Sequence, residues 1–206
     1  MSALPEGAPY DRHAQLYDRL IGNAAYNRLV WGTHPSQYTA FAAEALASAA
    51  GPYLDAGCGT AVFTAPLYRE TLREVVLADL SQGMLDKAAE RLGETPVRLV
   101  RADLHDLPFP PGGFATVACF GALHVLDDPW AALASLAKQV APGGGLFVSM
   151  LVAERAVSRA YMRALRRRGE LGPPRTEADL AAAAREIVGE RARVERVGAM
   201  AYLRTA

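Results

Sequence analysis

Three aspartates and two glycines carry the chemistry that this sequence offers. The stretch Tyr53–Thr64 reads YLDAGCGTAVFT: an apolar run ends at Asp55, Gly57 and Gly59 flank Cys58, and Thr60 opens an expected helix. Glycine at these places lets the backbone turn tightly and lets a ligand reach the main chain without meeting a Cβ. A helix starting at Thr60 would aim free N–H groups at a carboxylate or phosphate. The acid at the strand end argues against a dinucleotide, because a carboxylate repels a neighbouring phosphate. A ligand with both an ammonium and a carboxylate suits the loop better. A second apolar run, Glu74–Ala78, ends at Asp79, about 20 residues past the glycines, where such folds hold ribose hydroxyls. A further strand, Val97–Ala102, ends at Asp103-Leu104. Three strands ending this way place three carboxylates along one edge of a parallel sheet, the edge at which α/β folds bind ligands.

The elements that must position these acids alternate. Strand one begins near Pro52. Ser81 caps a helix whose Met84, Leu85, Ala88 and Leu92 form one stripe, and Gly93 closes it. Asp128-Pro129 opens another helix in the N-cap and N1 arrangement, with Leu133, Leu136, Ala137 and Val140 toward the sheet. Pro142 and three glycines stop it before a strand at Leu146–Leu151. Alternation of this kind predicts an α/β, Rossmann-like, doubly wound sheet of seven strands. It is mostly parallel, with helices on both faces and a C-terminal antiparallel hairpin near 192–197 and 200–204. Helices are also expected over 11–21, 36–49 and 176–188. Glu154–Arg168 reads as amphipathic, with Val157, Ala160, Tyr161, Ala164 and Leu165 inward. We read a single domain: a helical cap at 1–50, a core at 51–151, a helical insertion at 152–190 and hairpin strands at 191–206.

The chain resembles class I S-adenosylmethionine-dependent methyltransferases, and more narrowly the small-molecule branch with the ubiquinone/menaquinone biosynthesis enzymes. The residues carrying the resemblance are DAGCGT at Asp55–Thr60, ADLSQGML at Ala78–Leu85 and ADLHDLPF at Ala102–Phe109. FATVACFGALH at Phe114–His124 and LAKQVAPGGGL at Leu136–Leu146 agree as well. The resemblance implies S-adenosyl-L-methionine as cofactor and S-adenosyl-L-homocysteine as product. It implies that Asp79 takes the ribose hydroxyls and Asp103, with Ala102 beside it, the adenine amino group. Leu80, Met84 and Leu104 would flank the adenine. The loop Asp55, Gly57, Cys58, Gly59 and Thr60 would face the methionine moiety, and Phe120 with Gly121 would lie under the sulfonium. One departure is visible: Ala61 stands where the family usually has a third glycine, so a tighter fit is expected.

Methyl transfer from a sulfonium needs positioning and exclusion of water more than acid–base chemistry. A phenol, enol or thiol acceptor would gain from a base, and His124 is the candidate; a histidine there can equally cap the next turn or hold the loop. His105 reads as a loop residue. The resemblance further implies that N-terminal helices close over the cofactor and build the acceptor pocket; of the aromatic residues between Tyr10 and Phe41, Tyr17 and Trp31 are its candidates, while Tyr38 and Phe41 read as packing.

Composition bounds the alternatives. The 206 residues carry no net charge, which disfavours nucleic acid as the main partner. The Arg163, Arg166, Arg167, Arg168 run reads as a solvated helix face. Cys58 and Cys119 form no disulfide framework or metal motif, and no metal is expected. No run reaches membrane-span length and no signal pattern opens the chain, so a cytoplasmic monomer or homodimer is the expectation. The function read from the sequence is methyl transfer to a small, partly apolar molecule, with oxygen or carbon acceptors favoured. The alternatives are a non-catalytic S-adenosylmethionine- or S-adenosylhomocysteine-binding protein and, further off, a nucleic-acid methyltransferase. A nicotinamide-dependent oxidoreductase is disfavoured by Asp55 and Asp103.

Overall fold

The computed structural model describes residues 23–205. The expected helix over 11–21 and the candidate Tyr17 fall outside these residues. Strands β1 (Tyr53–Ala56), β2 (Val75–Asp79), β3 (Val97–Arg101), β4 (Phe114–Phe120), β5 (Val140–Leu151), β6 (Arg193–Val197) and β7 (Met200–Arg204) form one sheet. Their order is β3-β2-β1-β4-β5-β7-β6. The first five are parallel; β7 runs antiparallel to β5 and to β6. Successive strands step outward from β1 to β3, and the chain then returns to the other side of β1 as β4. The reversal makes β1/β4 the topological switch point, where a crevice opens at the carboxyl ends of the strands.

β1 and most of β2 are buried on both faces, which is why they read as continuous apolar runs rather than alternations. The flanking helices are α1 (Pro35–Ala47), α2 (Ala65–Glu70), α3 (Gln82–Leu92), α4 (Pro129–Gln139), α5 (Ala156–Arg167) and α6 (Glu177–Val188). Their caps are those written in the sequence. Ser81 Oγ accepts the Met84 N–H at 3.1 Å, Asp128 Oδ1 accepts that of Ala131 at 3.1 Å, and Thr176 with Asp179 closes a capping box.

Three expectations are corrected. The helix expected at Thr60 begins at Ala65, after a series of turns. Ala61 has φ 52, the left-handed conformation, and a right-handed helix cannot run through such a residue. The strand expected from Leu146 pairs with β4 from Val140, because a register shift opposite Phe114 and Thr116 absorbs Pro142 and its glycines. On α5 the buried residues are Ser158 and Met162, whereas Val157 and Ala160 face outward. The Ser158 hydroxyl donates to the Val30 carbonyl at 2.6 Å, and that tie rotates the helix relative to its apolar stripe.

Candidate active site

The three acids lie at the ends of adjacent strands, β1, β2 and β3, as their register requires. Their environments differ. Asp55 is 1% exposed. Its Oδ2 accepts the Tyr68 hydroxyl at 2.7 Å, and its Oδ1 is buried without a hydrogen-bond partner among the described residues. Burial pushes its pKa up to about 7; the Tyr68 hydrogen bond opposes the rise and the nearby Asp79 charge adds to it. Tyr68 lies on α2, so this bond ties the strand before the glycine loop to the helix after it.

Asp79 accepts the Gly59 N–H at 2.9 Å through Oδ2 and the Ser81 N–H at 2.9 Å through Oδ1. The β2 acid therefore holds the glycine loop as well as the start of α3. Gly57 and Gly59 both have positive φ, 75 and 54. A Cβ on Gly57 would fall 2.6 Å from the Ala122 methyl, so this glycine allows the loop to lie against the turn after β4. A Cβ on Gly59 would meet nothing within 4 Å, which leaves an open approach to the main chain. The thiols of Cys58 and Cys119 are pushed up by burial first and by the charges of Asp55 and Asp79 after it. Both remain thiols at neutral pH, and the loop is an electronegative place. It favours a cationic ligand over a phosphate.

Asp103 Oδ1 accepts both the His105 N–H and the His105 Nδ1, each at 2.9 Å. Leu104 and Met84 are buried, Leu80 is half-buried, and Leu104 Cδ1 would lie 3.5 Å from a Cβ on Gly57. Apolar side chains thus stand near the two acids, the residue types that the sequence assigned to the adenine.

At the end of β4, Phe120 is buried and Gly121 has φ 70. Tyr38, read from the sequence as packing, reaches this point from α1. Its hydroxyl donates to the Phe120 carbonyl at 3.1 Å, and its ring lies 4.9 Å from that of Phe63 and 5.6 Å from that of Phe120. Phe63 was not picked out in the sequence, although its place four residues past Gly59 in the loop was the available signal. Phe41 does belong to the core, against Phe120, Phe147 and Tyr202.

His124 lies close to Gly121, its Cε1 3.9 Å from where a Cβ would stand. Its Nδ1 accepts the Leu151 N–H at 3.3 Å, and its carbonyl accepts the Gly172 N–H at 3.0 Å. Burial pulls its pKa down to about 4. With Nδ1 used as an acceptor, the neutral ring carries its proton on Nε2 and presents a donor. Trp31 is 6% exposed and packs with Tyr26, Tyr161, Met162, Leu151 and Ala199 beyond β5. It is part of a buried hydrophobic cluster.

Among the described residues no cluster of His, Cys, Asp and Glu could hold a metal, and no helix is long and apolar enough to cross a membrane.

Residues 54–148 match the family model for a methyltransferase domain. An uncharacterised Synechococcus protein is 37% identical over 124 residues, 57% of this chain and 30% of that protein. The demethylmenaquinone methyltransferase of Clavibacter sepedonicus is 32% identical over 143 residues, 68% of this chain and 56% of that one. The chain therefore spans about half or less of the length of these relatives. Among solved structures, an O-methyltransferase family protein from Burkholderia thailandensis superimposes with a TM-score of 0.72 at 17% identity, over 94% of this chain and 59% of that one.

Proposed function

We propose that this protein, whose residues 54–148 match the methyltransferase-domain family model, is a class I S-adenosylmethionine-dependent methyltransferase that transfers a methyl group to a small, partly apolar acceptor. The observation that carries the reading is the row of Asp55, Asp79 and Asp103 on adjacent strand ends, beside a glycine loop at the switch point. The residues fit the cofactor. Gly59 leaves its approach open, the buried Oδ1 of Asp55 lacks a donor that an ammonium or an ordered water would supply, and the electronegative loop suits a sulfonium. S-adenosylmethionine would bring a methyl group already activated for in-line displacement.

The work left to the chain is binding and orientation. Asp79 holds the ribose hydroxyls and Asp103 the adenine amino group, with Leu80, Met84, Ala102 and Leu104 around the ring. Asp55, Gly57, Cys58, Gly59 and Thr60 shape the methionine end. Phe120, Tyr38 and Phe63 form an aromatic wall beside Gly121 that would exclude water and favour positive charge through ring quadrupoles. His124 positions the β4 and β5 ends: its low pKa and occupied Nδ1 make it a poor base at neutral pH. An oxygen or carbon acceptor would therefore have to arrive already deprotonated, as an acidic enol, phenol or quinol can. The named activity of the Clavibacter relative is in keeping with a ring acceptor of that kind.

Thermal unfolding with S-adenosylmethionine, S-adenosylhomocysteine and NAD(H) in parallel tests the cofactor. A ligand at 100 times its dissociation constant stabilises by about 2.7 kcal/mol. A response to the first two alone is expected; a response to NAD(H) alone would overturn the assignment. Transfer of labelled methyl to a panel of quinols, phenols and enols then tests the activity. The second reading, cofactor binding without turnover, draws on Ala61 and on the absence of a poised base among the described residues. It predicts binding with no transfer across the panel.

A further inference from the structure

His105 follows Asp103 by two residues in the turn after β3, and both of its ring nitrogens meet acceptors. Nδ1 lies 2.9 Å from Asp103 Oδ1, and Nε2 lies 2.9 Å from the carbonyl oxygen of Asp128, the N-cap of α4. A neutral imidazole has one N–H and would set a lone pair against an acceptor on one side. Only the imidazolium satisfies both contacts.

We infer that His105, as an imidazolium, is a positioning residue for the nucleoside: it pins Asp103 Oδ1 and so turns Oδ2 toward the ligand, while tying the β3 turn to the start of α4. The inference rests on the assignment of Asp103 to the adenine end. Asp103 Oδ1 already receives the His105 main-chain N–H and Nδ1–H, whereas Oδ2 takes no hydrogen bond among the described residues. A single hydrogen-bonded oxygen leaves a carboxylate free to rotate; two donors on that oxygen restrict it.

The charged neighbours agree. On its own turn His105 faces Asp103, with Asp106 bridged to Asp103 across the turn. From α4 it faces Asp128, whose side chain is engaged in capping. The adjoining Asp127 is taken up by Arg166 at 2.5 Å and by Arg175 on its carbonyl. Partial burial lowers the His105 pKa, but the Asp128 carbonyl and the Asp103 carboxylate outweigh it, and the net shift is upward from the ordinary histidine value. The sign follows. The bridge is complete below that raised pKa and is lost as pH rises through it.

The test pairs two readouts on the whole chain. Nitrogen-15 NMR of the histidine rings follows the imidazolium directly, and calorimetric titration with S-adenosylhomocysteine from pH 5.5 to 9 follows affinity. We expect the His105 ring to titrate above the ordinary value and the dissociation constant to rise about 3- to 10-fold across the same interval, the scale of one ordinary hydrogen bond, since the pair is partly exposed to solvent. In His105→Asn the amide can donate to Asp103 at any pH, so affinity stays near the acidic wild-type value and the step shrinks to whatever Asp55 contributes. In His105→Ala affinity is weaker throughout, with the same reduced step. A step that persists undiminished in His105→Asn would belong wholly to Asp55 and overturn the inference, as would a wild-type profile that is flat while binding occurs. Failure of S-adenosylhomocysteine to bind at any pH would sink the cofactor assignment instead. The ring titration then decides alone, and a midpoint at or below the ordinary histidine value overturns the bridge.

Discussion

The carboxyl edge of the sheet has two ends built in opposite ways. Around β1 and β2 the chain keeps Ala61 in a left-handed conformation and buries a carboxylate with one oxygen unsatisfied. Beyond β5, Trp31 with Tyr26 and Tyr161 fills the space, ring centroids 5.5–6.4 Å apart, over Met162 and Ala199. Strain and orphaned polar groups persist in a marginally stable fold only where surrounding structure holds them, and they gather where ligands bind. The first end thus keeps a strained residue beside an open loop, whereas the second is filled by packed rings. Among the described residues each also buries an unpartnered polar atom, Asp55 Oδ1 in one and Arg155 Nη1, near Gly32, in the other.

Four substitutions would break or sharpen this contrast. Trp31→Ala should have the largest effect, a loss of about 3–5 kcal/mol of stability in urea unfolding, as for other buried large aromatics. Affinity for S-adenosylhomocysteine should stay unchanged, and a variant losing affinity while keeping stability would move Trp31 into the site. Asp55→Asn comes next. The folded-state pKa of about 7 lies above the unfolded value, so the folded protein retains a proton that the unfolded chain releases. Stability therefore falls as pH rises from about 4 to about 7, and an uncharged isostere escapes that fall. The variant should gain about 2–4 kcal/mol at pH 8.5 and almost nothing below pH 4. Equal stability at pH 8.5 would show that the carboxylate is satisfied by a partner such as ordered water.

Asp79→Ala should weaken S-adenosylhomocysteine binding by about 1.5–3 kcal/mol, roughly 10- to 150-fold, measured by calorimetry. Unchanged affinity would remove the β2 acid from the site. Ala61→Gly should do least. Relief of the left-handed residue is worth about 1–2 kcal/mol, but about 0.8 is lost with the buried methyl and about 0.5–1 with chain entropy. Stability should change by less than about 1 kcal/mol on these opposing terms. A large gain would mean that the loop is more strained than its backbone indicates.

Several residues show why one end was easier to read than the other. Asp79 and Asp103 could be placed from the sequence because each closes a short strand-forming run rich in Val and Leu, and strand direction alone then sets them on one edge. His105 and Tyr38 could not, because their partners are the Asp128 carbonyl, 23 residues away, and the Phe120 carbonyl, 82 residues away. Main-chain acceptors leave no mark in a sequence. Val157 was misplaced for a related reason: helical periodicity gives a stripe, and only the Ser158–Val30 bond sets which side of it meets the sheet.

The sequence by itself determined the alternation of strands and helices, the caps at Ser81, Asp128 and Thr176, and the acids and glycines of the loop. These depend on local periodicity, turn chemistry and spacing, which act within a few residues. Tertiary structure alone decided that Ala61 delays α2 to Ala65, that Asp55 is buried beside Tyr68, that His124 Nδ1 accepts the Leu151 N–H, and that Trp31 packs in a buried cluster. Each of those outcomes depends on burial and on partners brought together from distant parts of the chain, and desolvation has no value until the fold has formed.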